Sequence, residues 1–96
     1  MQIDLSLSNV VLWNGCEIEQ VGGRLNLKTP PKEAGNILGR NLNLAIGAEP
    51  SRDEVTLTGP MAVWAYLVAF HAVVHCFRRV YYHDGKGEPL LVAAHG

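Results

Sequence analysis

GPMAVWAYLVAFHAVVHCFRRVYYHDGKGEPLLVAAH, residues 59–95, decides the fold. Gly59-Pro60 opens a long apolar run, Met61 to Phe77, that carries no charge other than its two histidines. Those two, His71 and His75, stand at i and i+4 and share one helical face. Arg78-Arg79 then steps into an extended Val80-Tyr81-Tyr82. The turn His83-Asp84-Gly85-Lys86-Gly87 follows, and Leu90 to Ala94 is a last strand ending at His95. All four histidines of the chain lie in this stretch. Imidazole, carboxylate and imidazole could meet at one edge of such a unit. The plain reading stays open beside it: a histidine on an apolar helix is often a hydrogen-bonded rim residue, and Asp-Gly is an ordinary hairpin turn.

The chain of 96 residues predicts a single domain over residues 1–96. A hydrophobic share of 48% leaves an apolar surplus that an oligomer interface would use. The formal charge of −1 argues against a grip on a long polyanion, which needs a basic face. Five Lys/Arg against seven Asp/Glu fall in residues 1–58, and three against two in residues 59–96. A short anionic ligand therefore favours the second half. The candidate helix 60–77 is near spanning length, but its histidines and the lack of a second span make it a core helix and give no membrane partner. Cys16 and Cys76 have no metal or redox spacing. With no signal peptide to be read, they are expected as small buried thiols in a cytoplasmic chain.

Upstream, Ile3, Leu5 and Leu7 alternate with polar residues as in a half-buried strand. Val10 to Trp13 is expected to run extended into an Asn14-Gly15 hairpin, and Gly22-Gly23 is a second hairpin turn. Thr29 is a candidate N-cap before Pro30-Pro31, with a short helix 31–39 ended by Gly39. Leu42, Leu44 and Ile46 suggest a strand, and Glu54 to Thr58 another. The expectation is an α+β fold: a mainly antiparallel sheet carrying one short and one long helix in a ferredoxin-like two-layer arrangement. Helix 60–77 should be buried on two sides, one of them by a partner subunit. At the strand-to-helix turn, Thr58-Gly59-Pro60 would offer free N–H groups to a phosphate, or simply form a good helix start. Arg78-Arg79 would clamp an anion or cap the negative end of the helix.

Gly59-Pro60, the apolar helix ending in histidines, the strand closing in Asp84 and the strand closing in His95 together resemble a family of CRISPR-associated ring nucleases. It is the small Csx-three (Crn-three) type of accessory protein in type III systems. Leu25 to Lys28 running into Pro30-Pro31-Lys32 adds to the resemblance, which covers residues 24–95. It implies an enzyme, a phosphodiesterase that degrades cyclic tetra-adenylate with a divalent ion, typically manganese. It also implies homodimers, or higher homo-oligomers, that sandwich the cyclic oligoadenylate between subunits. Carried over by position, the catalytic and metal set is His75, Asp84 and His95, with His71 competing for the role of His75. The ligand-binding set is Thr58, Gly59, Pro60 and Lys86, a lysine where the family has arginine. Residues 2–13 would fill the place of a strand that the family adds after its last histidine. Imidazole and carboxylate suit a first-row ion, and a free imidazole would take the proton of an attacking water or ribose hydroxyl. Two alternatives stand beside the enzyme: a non-catalytic sensor of cyclic oligonucleotides, and a structural dimer-forming protein.

Overall fold

The computed structural model describes residues 1–95. Eight elements follow in order: β1 (Gln2–Asp4), β2 (Ile18–Val21), β3 (Arg24–Leu27), α1 (Pro31–Gly47), β4 (Glu54–Thr58), α2 (Val63–Val74), β5 (Arg79–His83) and β6 (Leu90–Ala94). Four strands form one sheet in the order β1-β4-β5-β6, and β2-β3 is a separate hairpin. In the four-stranded sheet β1 and β5 both run parallel to β4, and β6 is antiparallel to β5. The fold is α+β as expected, but the sheet is mixed and not mainly antiparallel. The reason is connection length: a helix between two strands returns the chain to its starting end, so the second strand enters parallel to the first.

The expected helix 31–39 and strand 42–46 are one helix of 17 residues. Ala34, Leu38, Leu42 and Ile46 are its buried stripe, four residues apart, whereas Leu44 is 70% exposed. The alternation of Leu42, Leu44 and Ile46 is therefore coincidental. Gly39 does not end the helix. With Gly35 it faces Val68 of α2, letting the two helices approach. Thr29 does not cap α1 either: Pro30 holds the cap position, and Thr29 Oγ1 accepts the Glu17 N–H at 2.7 Å.

The expected extended segment 10–13 is instead a set of tight turns between β1 and β2. Polar side chains outcompete a strand ladder here. Asn9 Nδ2 donates to the Asp4 carbonyl at 2.7 Å, and the Trp13 indole N–H donates to the Leu5 carbonyl at 3.0 Å. Asn41, 8% exposed on α1, donates to the carbonyls of Leu12 at 2.7 Å and Asn14 at 2.9 Å. Gly22-Gly23 makes the hairpin expected of it, with φ of 56° and 80°. We predict that Asn41→Leu, which keeps volume but orphans both carbonyls, lowers stability by about 2 kcal/mol in urea unfolding. A loss below about 0.5 kcal/mol would mean that Trp13 alone holds the loop.

β1 sits beside β4, at the edge opposite β6. The N-terminal strand therefore does not extend the sheet beyond β6. Along β4, Val55 and Leu57 are buried, whereas Glu54, Thr56 and Thr58 are not, so one sheet face is covered more fully than the other. α2 packs on β4 and β5 and against α1. It runs over 12 residues, not 60–77, and buries only Ala65, Ala69 and Val73. Val63 and Leu67 remain exposed, so within one chain α2 is buried on one side only. Among the described residues no helix is long and apolar enough to cross a membrane.

Candidate functional site

β5 divides the candidate residues between its two ends. At its C-terminal end lie Thr58, Gly59 and Pro60, the turn His83 to Gly87, and with it Asp84 and Lys86. At its N-terminal end lie His75, which caps the C-terminus of α2, and His95, whose N–H donates to the Arg78 carbonyl at 2.6 Å. Asp84 is six residues of extended chain away from Arg78, about 20 Å.

The turn end is already well bonded. Asp84 Oδ1 accepts the Lys86 N–H at 2.7 Å, an Asx turn that leaves its other oxygen free of bonds to the described residues. His83 Nδ1 accepts the Gly85 N–H at 3.1 Å, and its Nε2–H donates to the Gly87 carbonyl at 3.0 Å. His83 is thus a staple of the turn. Thr58 Oγ1 donates to the His83 carbonyl at 2.8 Å, and the Tyr66 hydroxyl donates to the Gly59 carbonyl. Burial first, then the neighbouring Tyr82 and Asp4, pushes the Tyr66 phenol up, which keeps that donor protonated. Beside Pro60 an open groove of about 500 Å³ runs past Ser6, Ser8 and Arg24. Arg24 carried no signal in the sequence beyond opening a strand.

The histidine end is more open. His75 and His95 line one cavity of about 370 Å³ with Arg52, Phe77 and Arg78. His71 meets His75 edge to face, ring centroids 5.3 Å apart, but it lines a different groove between α1 and α2. The structure therefore brings His75, not His71, to His95. Arg78 faces Asp53 at 3.8 Å and Arg79 pairs with Glu54 at 3.0 Å, so both engage carboxylates of the chain entering β4. Cys76 is exposed here, against the expectation of a buried thiol; the helix has ended, and its side chain leaves the core. Cys16 is half-buried, and burial, then Glu33, pushes its thiol up.

A metal ion needs all its ligands within about 2.0–2.6 Å of one point. His75, Asp84 and His95 of one chain do not meet that condition, since the carboxylate lies at the far end of β5. Among the described residues no three His, Cys, Asp or Glu gather into a metal-holding group. Two imidazoles and two guanidiniums thus lie at one end of β5, and a turn carboxylate at the other. Neither a family model, nor a curated protein, nor a solved structure matches this chain.

Proposed function

We propose that the chain is a ring nuclease that cleaves cyclic tetra-adenylate between subunits of a homo-oligomer in the cytoplasm. The observation that carries this reading is the division of the site between the two ends of β5. One copy would present Thr58-Gly59-Pro60, Asp84 and Lys86, and a second copy would present His75 and His95. A sandwiched ring supplies phosphates to both ends at once, and a ring of four nucleotides has a local symmetry that a two-fold assembly matches. An imidazole left free at the histidine end moves the proton of the attacking or leaving oxygen. The manganese requirement belongs to the same reading, but only as an ion held between copies; one chain does not supply its ligands.

A homodimer is supported by apolar surface that one chain leaves uncovered. β6 is an edge strand with Leu90, Leu91 and Val92 exposed, and it borders a groove lined by Leu57, Leu67, Phe70 and Tyr82. A second copy is the occupant that this reading requires. The two-layer, ferredoxin-like description is part of the proposal too. What supports it is that α1 and α2 pack against each other while α2 packs on β4 and β5, although the mixed sheet departs from a mainly antiparallel one. Two unpaired cysteines agree with a reducing cytoplasm.

The test incubates the protein with cyclic tetra-adenylate and manganese, with and without chelator, and follows products by chromatography. Products only with the metal, from a species at least twice the chain mass by light scattering, are expected. Intact ligand with a raised melting temperature would assign the protein as a sensor. No response at all would leave a structural role.

A further inference from the structure

The cavity at the histidine end holds a cation that no pattern in the sequence announced. Arg52 lies in the loop before β4, and its guanidinium sits over the Phe77 ring, 5.7 Å from the centroid. Phe77 is buried, so the platform is fixed. The backbone fixes the rest: the Arg78 N–H donates to the Arg52 carbonyl at 3.0 Å, and the Arg79 N–H to the Asp53 carbonyl at 3.0 Å. Loop, strand β5 and His95 at the end of β6 are thus laced together, with Arg52, His75, Arg78 and His95 around one opening.

The charges around that opening are lopsided. Among the described residues no carboxylate lines the cavity. Among the described residues Arg52 pairs with none, Arg78 meets Asp53 only loosely and in solvent, and Arg79 is engaged by Glu54. The end of α2 works against an anion, since a helix C-terminus carries about half a negative charge. Guanidinium groups must therefore carry the attraction, and a stacked, planar guanidinium offers two parallel N–H donors to phosphate oxygens.

We propose that Arg52, with Arg78, His75 and His95, forms a phosphate site, and that Arg52 is its main anchor. The ligand class is a phosphate or phosphodiester small enough for a cavity of about 370 Å³. The inference rests on the proposed function for which phosphodiester arrives, but not for the site itself. In the ring-nuclease reading Arg52 grips a ring phosphate beside the imidazoles, as a substrate-binding residue.

The test uses inorganic pyrophosphate as probe, titrated into the full chain at low salt while the four histidine ring signals are followed by NMR. His75 and His95 should shift together and saturate, with His71 and His83 nearly still. Arg52→Ala should weaken that binding about tenfold, Arg52→Lys by less, and Lys28→Ala, at a surface ion pair with Glu19, not at all. Equal shifts at His83, or unchanged binding in Arg52→Ala, would overturn the site. Far-UV circular dichroism checks that Arg52→Ala is folded; Arg78→Ala, titrated likewise, gives a second reading if it is not. Against cyclic tetra-adenylate, Arg52→Ala should raise KM and leave kcat nearly unchanged. Pyrophosphate held here by a protein that cleaves nothing keeps this site and rejects the nuclease. Cleavage without Arg52-dependent binding does the reverse.

Discussion

Mixing His75→Ala protein with Asp84→Ala protein restores cleavage of cyclic tetra-adenylate, although each variant alone has lost about 10²–10⁴ of the rate. This is the expected result if the two ends of β5 act from different copies. The lesion in each variant lies at one end only, about 20 Å from the other. In a random mixture, a complete site needs the intact histidine end of one variant and the intact turn end of the other. Half of each kind is present, so about a quarter of the wild-type activity should return. Both residues are suited to the experiment. His75 is exposed at the end of α2, and Asp84 sits in an exposed turn, so neither substitution removes core packing. If mixed oligomers form by light scattering and no activity returns, the catalytic groups work within one chain. Their separation along β5 would then need a rearrangement of the last hairpin.

The sequence made the C-terminal half legible because its signals are local and agree. An apolar run, a basic step, a five-residue strand and a Gly-rich turn each have one favoured structure, and α2, β5 and β6 lie near where they were expected. It misled at α1 because Leu42 and Ile46 serve two periods at once: four apart on a helix, and two apart through Leu44 on a strand. Only the tertiary fact that Leu44 faces solvent separates them. It misled again at residues 10–13, where the deciding bonds come from Asn41, 29 residues from Leu12, and from the Trp13 indole. Strand direction was not legible for a similar reason. Whether β4 meets β5 or β1, and in which sense, is set by helix crossovers and not by any residue of the strands. The site shows the same limit. His75, Asp84 and His95 have suggestive spacing, but spacing along a strand is also distance. Arg52 had no motif to mark it, since its stacking on Phe77 joins two loops that the sequence keeps apart.

Gly59→Ala is the substitution expected to harm this fold most. Gly59 has φ of +99°, where an L-residue is strained by about 1–2 kcal/mol. A Cβ there would also run into Asp4 Oδ1, and would lie 2.9 Å from the Ser6 nitrogen and 3.0 Å from the Leu5 nitrogen. Those backbone nitrogens cannot yield: the Leu5 N–H donates to the Thr58 carbonyl at 2.8 Å, and the Ser6 N–H to Asp4 Oδ1 at 2.9 Å. Overpacking of this kind costs typically about 1–3 kcal/mol, so the total is about 2–5 kcal/mol. That is a large part of the 5–15 kcal/mol that holds such a domain, and the melting temperature should fall by at least about 10 °C. The glycine is therefore required by the junction of β1 with β4 before any ligand is considered. Loss of cleavage in this variant would say little about a phosphate cradle. Pro60→Ala and Lys86→Ala are the proper probes of that cradle: both residues are exposed, so the fold should survive while affinity for the ring falls. A Gly59→Ala protein that melts like the wild type yet binds no ring would reverse this assignment. It would mean that the backbone at Gly59 is bare so that a phosphate can approach it.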